Sequence, residues 1–220
     1  MKTSSGVVYY KDGIYTNLDK EVSGYRYYKW EILAIRNGRS GTIQFAEFDI
    51  LDQDGEEYTD LTVYNGTESD IWYEDWDNAG DNEVTTKYCG SFHGYAYFLF
   101  DAQEEVMPYG YRIYTANDTQ RNPGRNPSTW RLYGSNKRTE DPDDDSWELI
   151  DEQDDDNTLQ AVNYTPFDFL LKHKDEETGI KSLTPTFSKS DGAVYNLAGQ
   201  RISKLQKGIN IVDGKKVVVR

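Results

Sequence analysis

Several groups of residues in this chain have the types and spacing to do chemistry. Trp72, Tyr73 and Trp76 stand among acids in the polar run from Asn65 to Gly80, and His93 follows between Phe92 and Gly94. A sugar presents apolar C–H faces and hydroxyl edges, so a site for one needs an aromatic platform with directional polar groups. Aromatics in a polar loop meet that need better than aromatics in strands. The competing reading folds an indole back as a lid on the core. Ile71 beside Trp72 favours the lid, whereas Asp75 and Asp77 around Trp76 favour exposure. Arg121 and Asn126, in a second loop, add polar groups that can fork onto vicinal hydroxyls or a carboxylate. Asp81, Glu83 and Thr86 offer the hard oxygens that a structural calcium ion takes, about six to eight of them with backbone carbonyls included. The plainer reading of that run is a polar turn capped by Asp81. Cys89 and His93 are a nucleophile and a base by type, but no orienting motif accompanies them, and a lone cysteine is more often a buried apolar side chain.

Composition narrows the classes. The 220 residues suffice for one domain of ordinary size and a small appendage. Only 36% are hydrophobic, but 18 Tyr, 8 Phe and 5 Trp supply core area and favour strands over helices. A formal charge of -15 argues against unassisted binding to nucleic acid or an anionic membrane, and leaves neutral sugars, basic partners or divalent cations. One cysteine excludes an internal disulfide framework and a cysteine-rich zinc site. No run reaches the roughly 18 apolar residues of a membrane span. Met1 to Gly6 lacks the apolar stretch of a signal peptide. No phosphate loop, HExxH or nucleophile elbow is present. Asp141, Asp143, Asp145 and Glu152 match an EF-hand count, but Ser146 stands where that loop needs glycine, and a solvated hairpin loop is the better reading.

These residues must be positioned by strands. Tyr111, Ile113 and Thr115 alternate with Arg112, Tyr114 and Ala116. Trp130 and Leu132 alternate with Arg131 and Tyr133, and Trp147 and Leu149 with Glu148 and Ile150. Period two predicts strands whose first-named residues face a core. Asn122-Pro123-Gly124, Asn126-Pro127, Gly134-Ser135-Asn136 and Asp141-Pro142 supply the turns. Tyr25 to Asp52 reads as two strands, the first without clean alternation, so that both of its faces are partly covered. Tyr58 to Tyr64 and Leu159 to Leu171 read as further strands. Tyr95 to Phe100 is apolar throughout and reads as a buried one. Val7 to Tyr10 reads as a short edge strand. Ile209 and Ile211 precede Asp213-Gly214, a two-residue hairpin signal, with Val217 to Val219 after it.

Two stretches resemble known families. Thr115-Ala116-Asn117-Asp118, then Arg, Asn126-Pro127, Ser128-Thr129-Trp130, Leu132, Gly134-Ser135-Asn136 and Trp147-Glu148-Leu149-Ile150-Asp151 resemble the discoidin, or coagulation factor 5/8 type C-like, branch of galactose-binding-like domains. The run DNEVTTKY at 81–88 is similar to a segment of that family, with Asn82 and Tyr88 where Gly and Trp are usual. The resemblance implies a jelly-roll β-sandwich that binds ligands through loops at one end, a structural calcium near Asp81, Glu83 and Thr86, and Arg125 as a structural partner of Asp118. Tyr25 to Leu51 resembles a strand pair that ends such domains but comes first here. It is either a permuted part of one domain or the tail of a preceding copy. The run Asp191 to Arg220 resembles the C-terminal modules of exported proteins from Bacteroidetes-type bacteria, which implies export to the periplasm or cell surface.

The combined expectation is an all-β protein: a lead at 1–24, a galactose-binding-like jelly-roll β-sandwich at 25–172, a linker at 173–190 and a β-hairpin module at 191–220. Its expected role is non-catalytic glycan binding at a bacterial surface through Trp72, Tyr73, Trp76, His93, Arg121 and Asn126. The alternatives are a protein-binding or adhesion module without a sugar site, and an accessory fragment of a larger glycoside hydrolase with its catalytic domain upstream.

Overall fold

The computed structural model describes residues 14–15, 22–171 and 173, together with the strand segments 194–196, 201–202, 208–212 and 215–219. The chain divides into two compact units, 1–174 and 175–220. The expected edge strand at Val7 to Tyr10 and, apart from His173, the expected linker at 173–190 lie outside the described residues.

The first unit is an all-β sandwich. Its larger sheet is antiparallel, with strands β10 (Glu148–Gln153), β9 (Pro127–Ser135), β2 (Tyr25–Ile35), β7 (Ala96–Val106) and β5 (Thr62–Gly66) in that spatial order. A second sheet holds β1 (Ile14–Tyr15), β11 (Pro166–Leu170), β8 (Gly110–Tyr114) and β4 (Phe48–Leu51), with only β1 running parallel to its neighbour. A two-stranded ribbon of β3 (Gly41–Phe45) and β6 (Tyr88–Phe92) completes the unit. Residues 25–51 supply the central strand of the first sheet, an edge of the second and half of the ribbon. They are integral to the sheets of this unit.

Aromatic side chains fill the space between the sheets. The Trp30 ring lies 5.0 Å from Phe48 of the opposing sheet, 4.7 Å from Phe45 of the ribbon and 6.4 Å from Trp130. Offset and edge-on ring pairs at these separations add to the area they bury. Tyr111 stacks on Phe169 at 5.0 Å; its hydroxyl accepts from Trp130 Nε1 at 2.8 Å and donates to Asp151 at 2.7 Å. The low aliphatic content is thus offset by rings; the polar tips of Tyr111 and Trp130 find partners inside, whereas Trp30 Nε1 and the Tyr88 hydroxyl have none.

The inward phases of β8 and β9 are as the alternation predicts, with Tyr111, Ile113, Trp130 and Leu132 buried. That of β10 differs. The strand starts at Glu148, a bulge falls between Leu149 and Asp151, and Ile150 is buried while Leu149 is only partly so. Trp147 precedes the strand and donates its Nε1 to the Asp141 carbonyl. A bulge inserts one unpaired residue and so reverses the facing of what precedes it. The uneven pattern of β2 reflects its place between two strands and under a loop. Lys29 is buried on the outer face, donates to the Pro142 carbonyl at 2.7 Å and lies 4.0 Å over the Tyr133 ring.

The second unit contains one antiparallel sheet of β13 (Arg201–Ile202), β12 (Val194–Asn196), β14 (Gly208–Val212) and β15 (Lys215–Val219), in that order. Val212 pairs with Lys215 at one end of the antiparallel β14–β15 pair, and the expected turn at 213–214 lies outside the described residues. Among the described residues, no helix is long and apolar enough to cross a membrane.

Candidate functional site

The segment between β5 and β6 is a loop braced at several points along its length. Asp70 accepts from the backbone N–H of Ser91 at 2.8 Å and from its hydroxyl at 2.7 Å. The Cys89 N–H donates to the Glu74 carbonyl at 2.9 Å, and Asp75 caps the short turn that follows by accepting from Trp76 N and Ser69 N. The Asn78 amide donates to the carbonyls of both Tyr73 and Lys87, at 2.8 Å each. Between these ties the chain turns outward.

Trp72 and Tyr73 sit at that outward turn. They are 81% and 75% exposed, and their rings stack on each other with centroids 4.0 Å apart and planes 22° apart. Tyr73 holds φ at 65°, a left-handed conformation that costs a bulky residue free energy and persists only where its surroundings impose it. The Asn78 bond to the Tyr73 carbonyl is one such constraint. Two large rings held in water on a braced turn expose apolar area that the core does not use.

Trp76 does not share this exposure. It is half-buried and packs against the core, with its Cβ 2.7 Å from where a Cβ on Gly66 would stand. The absent side chain at Gly66 makes room for the indole, so the expectation that Trp76 faces solvent is corrected: it anchors the loop. His93 is exposed beyond the end of β6. Arg121 is exposed on the loop after β8. Asn126 is not at a rim. It is 1% exposed, and its amide donates to the Leu159 carbonyl at 2.9 Å, so it ties two loops together and is corrected from ligand contact to structural residue.

Lys87 links the two loops that carry the exposed candidates. Its ammonium lies 3.6 Å from Glu74 of the aromatic loop and 3.0 Å from Asp118 of the arginine-bearing loop. Arg125 lies 3.6 Å from Asp118 and donates to Gln44 Oε1 at 3.2 Å. The Asp118 carboxyl is held low by Lys87, Arg125 and Asn122 against the opposing effect of its partial burial. The aromatic loop and the Arg121 loop therefore adjoin across the β3–β6 ribbon. Cys89 lies in that ribbon, buried, and burial pushes its thiol up to about 11. That environment suppresses the thiolate that nucleophilic chemistry needs.

The calcium candidates form a knot of a different composition from the one expected. Thr86 Oγ1 donates toward the Asp81 carboxylate at 2.9 Å and the Glu83 carbonyl at 2.8 Å. The Glu83 side chain turns away to Thr85, so its backbone oxygen and not its carboxylate faces the knot. The missed member is Glu47, at the corner between β3 and β4. It is 1% exposed; one oxygen accepts from Glu83 N at 3.2 Å and the other has no partner. Burial and the adjacent Asp81 carboxylate push the Glu47 carboxyl up to about 10. Among the described residues no three His, Cys, Asp or Glu side chains converge as metal ligands. The donor set is instead two carboxylates, a hydroxyl and a carbonyl, with one carboxylate oxygen orphaned. Hard oxygens of this kind fit calcium. The signal in the sequence was an acid between the buried runs Ile43–Ala46 and Phe48–Leu51.

The class of protein these features define is an all-β sandwich with an exposed aromatic loop and an oxygen-rich corner. No family model and no curated protein sequence matches this chain.

Proposed function

We propose that the chain is a non-catalytic glycan-binding protein of the galactose-binding-like, discoidin-related jelly-roll type. The observation that carries this reading is the stacked, exposed Trp72–Tyr73 pair on a loop braced by Asn78, Asp70 and Asp75. A sugar stacks its C–H face on the outer face of either ring, and its hydroxyls reach polar groups on the adjoining loops, with His93 and Arg121 the exposed candidates. The ridge offers few contacts per sugar, so single-site affinity is on the order of 0.1–1 mM. Export to a bacterial surface, which the C-terminal unit's resemblance supports, and an upstream catalytic domain would make such affinity useful through effective concentration. Glu47, Asp81, Thr86 and the Glu83 carbonyl are the residues that would hold a structural calcium ion, whose charge would neutralise buried Glu47 and the exposed Asp81 beside it.

A glycan array followed by calorimetry tests the reading. Binding to at least one glycan class is expected, with Trp72→Ala weakening it at least about tenfold and leaving the fold intact, because the side chain is exposed. Absence of any glycan binding by the folded protein at about 1 mM ligand would overturn it, well above the affinity expected.

A further inference from the structure

The charge around the aromatic pair selects among sugars. The loop from Thr67 to Gly80 carries Glu68, Asp70, Glu74, Asp75 and Asp77 and no Lys or Arg. Glu68, Asp70 and Asp77 are exposed. The hydrogen bonds from Ser91 hold the Asp70 carboxyl below the usual carboxylate range, so it stays ionised. Lys87, the nearest buried base, has its charge matched by Glu74 and Asp118. His93, Arg39, which donates to the Gly94 carbonyl at 3.3 Å, and Arg121 on the adjoining loop are exposed bases nearby. The faces of Trp and Tyr are themselves electron-rich and attract cations. Rings and carboxylates on one loop thus favour a ligand that combines an apolar face with a positive charge, and they repel anions.

Resting on the glycan-binding reading above, we infer that the Trp72–Tyr73 site takes chains of amino sugars bearing free ammonium groups, in preference to N-acetylated or neutral chains and against uronic, sialylated or sulfated ones. The hexosamine ring supplies the C–H face for stacking. Its ammonium supplies the charge that the ring faces and the exposed Glu68, Asp70 and Asp77 carboxylates receive.

Calorimetry with the trimers of glucosamine, N-acetylglucosamine, glucose and galacturonate tests this on the full chain. At low salt the glucosamine trimer is expected to bind about tenfold tighter than the N-acetylated one, and galacturonate not to bind. The preference is expected to shrink severalfold near about 0.5 M salt, where exposed charges are screened. Trp72→Ala is expected to abolish glucosamine binding. The E68Q/D77N double variant is expected to narrow the preference while leaving affinity for the neutral trimer within about twofold. An acidic protein also holds polycations non-specifically, so glucosamine binding that survives Trp72→Ala overturns the inference. Equal or tighter binding of the N-acetylated, neutral or anionic trimer overturns the charge selection and leaves the glycan reading standing. No binding of any trimer, with Trp72-dependent capture of polylysine, assigns the site to a basic protein segment and overturns both.

Discussion

Two acid clusters lie next to one another on this sandwich and are resolved in opposite ways. On the outer face of the second sheet, Asp49, Arg112 and Asp168 face each other in register across β4, β8 and β11. Arg112 forks onto Asp168 at 2.6 and 2.9 Å and reaches Glu57 at 2.7 Å, while Tyr114 donates to the same Glu57 oxygen at 2.6 Å. Two residues before Asp49, Glu47 is buried against Asp81 with an orphaned oxygen and no Lys or Arg among its hydrogen-bond partners. The first cluster carries its own cation. The second calls for a proton or a bound ion. A planar guanidinium satisfies fixed carboxylates across neighbouring strands, whereas a corner formed by two loops offers carbonyls and a hydroxyl, which suit a metal better.

The largest effect expected from this contrast comes from removing the built-in cation. Arg112→Ala should lower unfolding free energy by about 3–5 kcal/mol, because Asp168 and Asp49 are left buried without a partner. Chemical denaturation checks it. A loss below about 1 kcal/mol would mean the cluster is solvated in solution and would erase the comparison. Next in size is the effect of supplying the missing cation. Calcium at about one hundred times its dissociation constant should stabilise the protein by about 2.7 kcal/mol. Glu47→Gln should remove most of that gain and should not destabilise the chelated protein, because the amide carries no charge to desolvate. A melting temperature indifferent to calcium would show that the corner keeps its proton instead.

How much of this was legible in the sequence depends on the range of the interaction. The strands containing Tyr111 and Trp130 follow from period-two patterning, which is local. The β10 phase was misread because a bulge is set by register with β9. Trp72, between Ile71 and Tyr73, projects, while Trp76, between Asp75 and Asp77, anchors, the reverse of what their immediate neighbours suggest. The discriminating neighbour is Gly66, and its proximity to Trp76 exists only after folding. Asn126 looked like a loop polar residue and proved to be a buried tie to Leu159, a contact 33 residues away. Glu47 is hidden because Thr42 to Leu51 reads as one continuous strand, whereas the chain breaks there into β3 and β4, and its partner Asp81 lies in a separate loop.

The smallest effect separates the clusters by pH. Burial, with the Glu57 charge second and Arg112 opposing, pushes the Asp49 carboxyl up to about 7 from its ordinary value of 3.8. A carboxyl raised on folding keeps a proton that the unfolded chain has released. Its contribution to stability is therefore complete below about pH 4, declines as pH rises to about 7, and is lost above. Asp118 and Asp101, held low by Lys87 and Arg26, act in the opposite sense and lose their contributions only in acid. Asp49→Asn should flatten the decline between pH 4 and 7 by about 1–2 kcal/mol, a part of what full burial would give because Arg112 is near. Denaturant melts across that window, with calcium saturating so that the Glu47 corner does not contribute, measure the difference. An unchanged slope in Asp49→Asn would show that Arg112 neutralises both of its strand neighbours, and the first cluster would then be closed at every pH.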